Sequence, residues 1–356
     1  MEKSSYLPIL SLTRGETLES IHYGAVAVVN PQNSLVASYG DPEAVTFLRS
    51  SAKPFQAMPF VMHGGVEHYQ LTQEELALIC ASHSGTDAHV AVAKSIQAKT
   101  GAKESDLLCG THALSHKPTV EAMRQRGEAL TSNRHNCSGK HTGMVSFAKM
   151  LGLPYHLEEH AYIAMDHPIQ KEILQNFADM CSLPVEQVGL GIDGCSAPNF
   201  AVPLRNAALA YARLSDPNLL DERKATACRK IFAAMTAYPN MVGGPDSFDT
   251  HLMQATHGKI LCKGGAEGYQ AMGVAPGAAG PGSPALGITF KISDGDYRGS
   301  TRPAVALAIL SQLGVITETE LEALKSYGPT FELYNWRKLH VGKAEPCFSL
   351  NKPLEK

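Results

Sequence analysis

Arg49–Ser50–Ser51–Ala52–Lys53–Pro54 places a hydroxyl and an amine three residues apart, as Ser50 and Lys53. At the start of a helix, residues i and i+3 share a face, so the amine can reach the hydroxyl. A free serine is a weak nucleophile and needs a base, and a lysine held in a dry, partly cationic setting can lose its proton and serve as one. Pro54 suits a first helical turn, whose amides have no intrahelical partner. Two further segments carry compatible chemistry. Ala81–Ser82–His83–Ser84–Gly85–Thr86 follows the apolar helix Glu74–Cys80, and Lys263–Gly264–Gly265 ends the strand-like run Lys259–Lys263. A second hydroxyl can relay protons, a strand-borne lysine supplies fixed positive charge, and the glycines let a substrate lie against the strand backbone. Each motif also has an ordinary reading: an exposed lysine near a helix start, a helix-terminating turn, and a solvated strand end.

Two cysteine segments stand apart from these. His135–Asn136–Cys137–Ser138–Gly139–Lys140–His141–Thr142–Gly143 and Asp193–Gly194–Cys195–Ser196–Ala197–Pro198–Asn199 each set a cysteine at an element boundary beside Gly and Ser. Cys137, at a helix start next to Lys140 and His141, is placed to ionise. Two thiolates and a nitrogen donor suit zinc. On spacing alone the nitrogen would come from His141 or His135; the plainer alternative is a pair of small buried cysteines.

The elements that must position these groups divide along the chain. Ile21–Asn30 and Ser34–Tyr39 read as strands around the turn Asn30–Pro31–Gln32–Asn33. The middle is mostly helical: Thr72–Gln73–Glu74–Glu75 is a capping box ahead of Leu76, Ile79 and Cys80, and helices are expected over 138–151, 168–180, 203–213, 220–238 and 247–257. Val188–Ile192 is a short strand. Strands return at 259–263, 268–274 and 285–292, with the Gly/Pro-rich Ala275–Pro284 as a hairpin connection, and then come an apolar helix at 304–313 and a cap at Thr317–Glu320. Strands at both ends with helices between favour an α+β fold, with one mainly antiparallel sheet closed from both chain ends. The whole chain reads as a single catalytic unit with two lobes, a sheet lobe from roughly 1–60 and 259–356 and a helical lobe over 61–258.

Composition narrows the function classes. The 356 residues are 44% hydrophobic, ample for a buried core, and net charge is −3, so there is no basic surplus for nucleic acid or anionic lipid. No signal-peptide pattern and no long apolar run occur, which points to the cytoplasm. The eight cysteines, spread through a chain of this size, read as reduced thiols.

The order Ser-x-x-Lys, serine-rich turn, strand-borne Lys-x-Gly is similar to that of serine β-lactamases and penicillin-binding proteins. Taken with Asn136–Met144, Asp193–Pro198 and Lys263–Gly268, the set resembles the asparaginase II family, the rhizobial-type (class 3) L-asparaginases, over nearly the whole chain. That resemblance implies a fold like serine β-lactamases and glutaminases, a homodimer, and hydrolysis of L-asparagine to L-aspartate and ammonia. It carries two serine–lysine pairs onto Ser50 with Lys53 and Ser82 with Lys263. It also carries a zinc site onto Cys137, Lys140 and Cys195, with a lysine where spacing suggested a histidine. Arg49 is then a candidate for the substrate α-carboxylate, Asp193 for its α-ammonium, and His141 for a further substrate contact. Lys53 must be neutral to act as a base and Lys140 to bind metal, so activity should rise with pH. Two rivals remain: a penicillin-binding-type acyl hydrolase, and a metal- or redox-responsive binding protein on a dead hydrolase fold.

Overall fold

The computed structural model describes residues 5–156 and 161–352. In chain order the strands are β1 (Leu7–Arg14), β2 (Thr17–Val29), β3 (Leu35–Tyr39), β4 (Val45–Phe47), β5 (Gly189–Ile192), β6 (Pro198–Pro203), β7 (Ile260–Gly264), β8 (Tyr269–Val274), β9 (Leu286–Ile292), β10 (Phe331–Tyr334) and β11 (His340–Pro346). With helices between the two groups of strands, the class is α+β. The chain divides into two compact units: Met1–Ser51, Val202–Leu219 and Ala255–Lys356 make one, and Ala52–Ala201 with Leu220–Gln254 make the other.

The first unit is built on an antiparallel sheet in the order β10-β11-β1-β2-β9-β8-β7, with β3 also paired to β2. The chain ends meet here: β1 from the N-terminus lies between β2 and the C-terminal β11, with Leu12 opposite Ala344 and Ser11 opposite Glu345. Strands β7 and β8 are buried at every residue, as expected of strands covered on both faces. The helix Leu204–Ser215 packs on β2, β8 and β9 and so belongs with the sheet, whereas the sequence reading grouped it with the helical lobe. Its buried residues mix alanines with Leu204, Leu209, Tyr211 and Leu214, and it comes close to the sheet at Gly287, where a Cβ would lie 1.7 Å from Ala208 O.

The second unit is helical, with the hairpin β5–β6 attached. At its centre is the helix Lys53–Met62, buried from Lys53 to Val61. A helix apolar nearly all round has to be enclosed by others. Phe55 meets Phe177 of the helix Pro168–Cys181 with ring centroids 5.8 Å apart, and Phe177 stacks on Phe200 at 4.8 Å. The expected capping box at Thr72 is present in full, with Thr72 N–H on Glu75 and Glu75 N–H on Thr72 Oγ1. A second helix, Asp87–Thr100, starts on Thr86 with His89 in the position a glutamate usually takes. Among the described residues no helix is long and apolar enough to cross a membrane.

Candidate active site

Lys53 opens the central helix and is 1% exposed. Its Nζ lies 2.8 Å from Ser82 Oγ, 2.5 Å from the Ala81 carbonyl and 3.3 Å from the Asn136 carbonyl. An ammonium fills all three contacts as a donor. A neutral amine has two hydrogens for the two carbonyls and one lone pair left, which then faces the Ser82 hydroxyl. The arrangement thus accommodates the proton both before and after transfer from a hydroxyl.

The Ser82 loop is held by its neighbours. Ser82 N–H donates to Val242 O at 2.9 Å. Gly85 N–H donates to His83 Nδ1, so the other nitrogen of His83, Nε2, carries the hydrogen and donates to Ser138 Oγ at 2.9 Å. Burial, and then the nearby His89 and Lys53, push His83 well below the usual histidine range, which keeps it neutral. Ser138 begins the helix Ser138–Met150, and a Cβ on the next residue, Gly139, would sit 2.1 Å from the Leu78 carbonyl. Only glycine permits that approach, and it brings the Cys137 helix start against the helix that leads into Ser82.

Around Cys137 the sequence-predicted donors converge. Lys140 Nζ is 2.9 Å from Cys195 Sγ. A hydrogen bond with Cys195 holds the Cys137 thiol well below its usual range, against the opposing effect of burial and with help from Lys53 and Lys140. Burial would push Lys140 down, but the Cys137 and Cys195 charges outweigh it and hold the amine above its ordinary value. That is the reverse of the neutral lysine expected for a metal ligand: the neighbouring thiol charges favour the protonated amine. The third thiol nearby, Cys109, is pushed up to about 12 by burial and by the charges of Cys137 and Cys195, so it stays protonated and is a poor ligand. Asp193 sits on the same turn as Cys195, accepting from Gly194 N–H at 2.9 Å, and Ser196 closes the turn with a left-handed φ of 70°.

His141 is fully buried, with Nδ1 2.6 Å from Tyr162 Oη. His135 accepts from Cys137 N–H through Nδ1 at 3.0 Å. Among the described residues no three His, Cys, Asp or Glu side chains gather as a metal shell. What this chain offers instead is two thiols with an amine in contact, a soft donor set that fits zinc once the amine gives up its proton.

The remaining predicted residues, Arg49, Ser50 and Lys263, belong to the first unit. Ser51 is fully buried and donates to Lys263 O at 2.7 Å, so its hydroxyl is committed to the backbone, while Ser50 is half-buried. Gly265 explains the second glycine of Lys263–Gly264–Gly265: a Cβ there would lie 2.4 Å from Leu48 O. Lys263 is 1% exposed and donates to Gly264 O at 2.9 Å. Arg49 and Glu267 both take left-handed backbone, φ 52° and 58°, and their side chains approach to 4.0 Å. Strain of that kind in non-glycine residues gathers at functional sites.

Residues 10–346 match the family described as L-asparaginase II. The chain belongs to the L-asparaginase II family. It is therefore an amidohydrolase, and the motif resemblance drawn from the sequence holds. Comparison with curated proteins gives no significant match. Among solved structures, this asparaginase II family chain is loosely similar to a probable glutaminase from Bacillus subtilis complexed with 6-diazo-5-oxo-L-norleucine, at 13% identity and a TM-score of 0.37, over 82% of this chain and 84% of that one. It is likewise similar to Mglu in its native form in 4.3 M NaCl, at 15% identity and a TM-score of 0.43, over 81% of this chain and 60% of that one.

Sequence reasoning missed Tyr162, which lies in an ordinary stretch with no local signature. It also missed the carbonyls of Ala81 and Asn136, because backbone atoms leave no mark in residue types.

Proposed function

We propose that this chain hydrolyses L-asparagine to L-aspartate and ammonia by serine–lysine chemistry, and the observation that carries the proposal is the 2.8 Å contact of the buried Lys53 amine with Ser82 Oγ. A buried amine on a serine hydroxyl, in an amidohydrolase family, is the arrangement of a base with a proton carrier. Ser50 attacks the side-chain amide carbon and gives its proton to Lys53. Ser82 passes a proton to the departing nitrogen, which leaves as ammonia, and Lys263 steadies the charge on the tetrahedral oxygen. Water then attacks the acyl-serine, releasing aspartate and restoring the hydroxyl. The roles of Ser50 and Lys263 rest on their motifs, and that of Ser82 on its contact with Lys53. Arg49 is the proposed partner of the substrate carboxylate and Asp193 of its ammonium.

Cys137, Lys140 and Cys195 would hold zinc, which when bound supplies a fixed positive charge for the polar head of a substrate. The thiols themselves tie the helix start at Ser138 to the Asp193–Pro198 turn. We further propose a cytoplasmic homodimer, on the family resemblance.

The test is ammonia release from L-asparagine, L-glutamine and D-asparagine, run beside acylation by a chromogenic β-lactam. Turnover of L-asparagine well above the other two amides supports the assignment. Preference for glutamine overturns the substrate, and β-lactam acylation without amide turnover overturns the activity in favour of a penicillin-binding-type hydrolase.

A further inference from the structure

His141 presents an accounting problem that neither the serine–lysine chemistry nor the donor set uses. The residue is fully buried, yet among the described residues its Nε2 makes no well-formed hydrogen bond. A buried polar nitrogen left unmatched loses its hydration without compensation, so a group of this kind calls for an explanation. The other ring nitrogen, Nδ1, is 2.6 Å from Tyr162 Oη, and Tyr162 is also fully buried. Tyr162 Oη already accepts the Leu108 N–H at 2.8 Å. Its own hydrogen then goes to His141 Nδ1, the neighbouring ring nitrogen. A neutral imidazole whose Nδ1 accepts must carry its hydrogen on Nε2. Gln170 fixes the tyrosine from behind by donating to its carbonyl at 2.8 Å.

Nε2–H therefore looks for an acceptor. The Cys195 side chain is within interaction range of the His141 ring, and its sulfur also receives Lys140 Nζ at 2.9 Å. We infer that His141, with its tautomer set by Tyr162, is a positioning residue that donates through Nε2–H to the Cys195 sulfur and holds it as a metal ligand, so that His141 itself is not a ligand. This rests on the zinc reading above. A proton on Nε2 excludes direct ligation, whereas the opposite tautomer would expose a lone pair and make His141 a fourth protein ligand. Outer partners of metal ligands orient them and raise metal retention, and their loss costs about 10–100-fold in affinity.

The experiment has two arms. In the first, ¹⁵N-labelled full-length protein is examined by two-dimensional NMR with and without zinc. Nε2–H with an unprotonated Nδ1 in both states is expected. The opposite tautomer overturns the inference whether or not metal binds. In the second, zinc transfer to a chromogenic chelator is timed for wild type, Tyr162→Phe, His141→Gln and His141→Leu, with thermal midpoints recorded alongside. Tyr162→Phe and His141→Leu should release zinc about 10–100-fold faster. His141→Gln, whose amide N–H can take the same place, should fall between them and wild type. The cobalt(II)-loaded protein should show its sulfur-to-metal absorption band shifted in Tyr162→Phe. Unchanged release and an unchanged band in folded Tyr162→Phe would overturn the positioning role. A wild type that takes up neither zinc nor cobalt would overturn the metal reading itself, and the ligand-holding role with it.

Discussion

Lys53 is where the chemistry is most constrained, because two of the three oxygens its amine contacts are carbonyls that cannot yield a proton. Among those three contacts Ser82 is the group that can exchange a proton with the Lys53 amine. Ser82→Ala should lower ammonia release by about 10²–10⁴-fold, the range for losing a positioned proton carrier. It should still form an acyl-enzyme slowly, visible as an added mass with a slow substrate. Ser50→Ala should bring turnover to background with no added mass; trapping of substrate on Ser82 in that variant would exchange the roles of the two serines. The thiol cluster supports a second expectation. The Cys137 and Cys195 charges hold Lys140 above its ordinary value, so the proton must be expelled when the amine binds metal. Zinc affinity should therefore strengthen as pH rises through neutral, and calorimetry in two buffers of different ionisation heat should count at least one proton released per zinc. A pH-independent affinity would remove Lys140 from the shell.

Among the elements, the helix Asp87–Thr100 carries a pH-sensitive start. His89 Nδ1 accepts the Thr86 N–H, and Nε2 meets Asn240 O at 2.8 Å. Burial lowers His89 from 6.5 to about 4. The unfolded chain therefore takes up this proton below about pH 6.5, while the folded chain resists until about 4. The stability held by neutral His89 is full above that window and declines as pH falls through it, by up to about 1.4 kcal/mol per pH unit. Urea midpoints between pH 7.5 and 5 should show a shallower decline in His89→Gln, which keeps an acceptor at the cap. Equal slopes would show that other groups set the acid limit. This cap was not legible in the sequence, because histidine replaces the usual glutamate, while the boxes at Thr72 and Thr317 use glutamate and were read. The same contrast runs through the strands. Strands β7, β8 and β9 are continuous apolar runs and were legible. Strands β10 and β11 carry the exposed Glu332 and Lys343 and the half-buried Glu345, so β11 takes its place from pairing with the distant β1, and β10 from β11, and not from an apolar pattern of their own. At the site, residue types and motif order were readable, whereas the contact of Lys53 with Ser82 joins side chains 29 residues apart and leaves no local mark in the sequence.

Across the whole molecule, the consequence of joining both chain ends in one sheet is that the first unit cannot form from either end alone. Strand β1 is hydrogen-bonded on one side to β2, its neighbour in sequence, and on the other to β11, more than three hundred residues away by the numbering of Leu12 and Ala344. Contacts of that separation form late, since loop closure must precede them. A chain ended after Pro329 would lose β10 and β11 and leave β1 as an open edge, with Leu10 and Leu12 no longer flanked by Ala344 and Pro346. Unpaired strand edges with apolar side chains template association between chains. Such a truncated protein should express with lower soluble yield, scatter light on refolding at micromolar concentration, and show a lower thermal midpoint than the full chain. Adding back a synthetic peptide of residues 331–352 should restore part of the soluble yield if the lost pairing is the cause. A truncated chain that stays soluble with an unchanged midpoint would mean that β1 is held by β2 alone, and that the meeting of the chain ends contributes nothing to the fold.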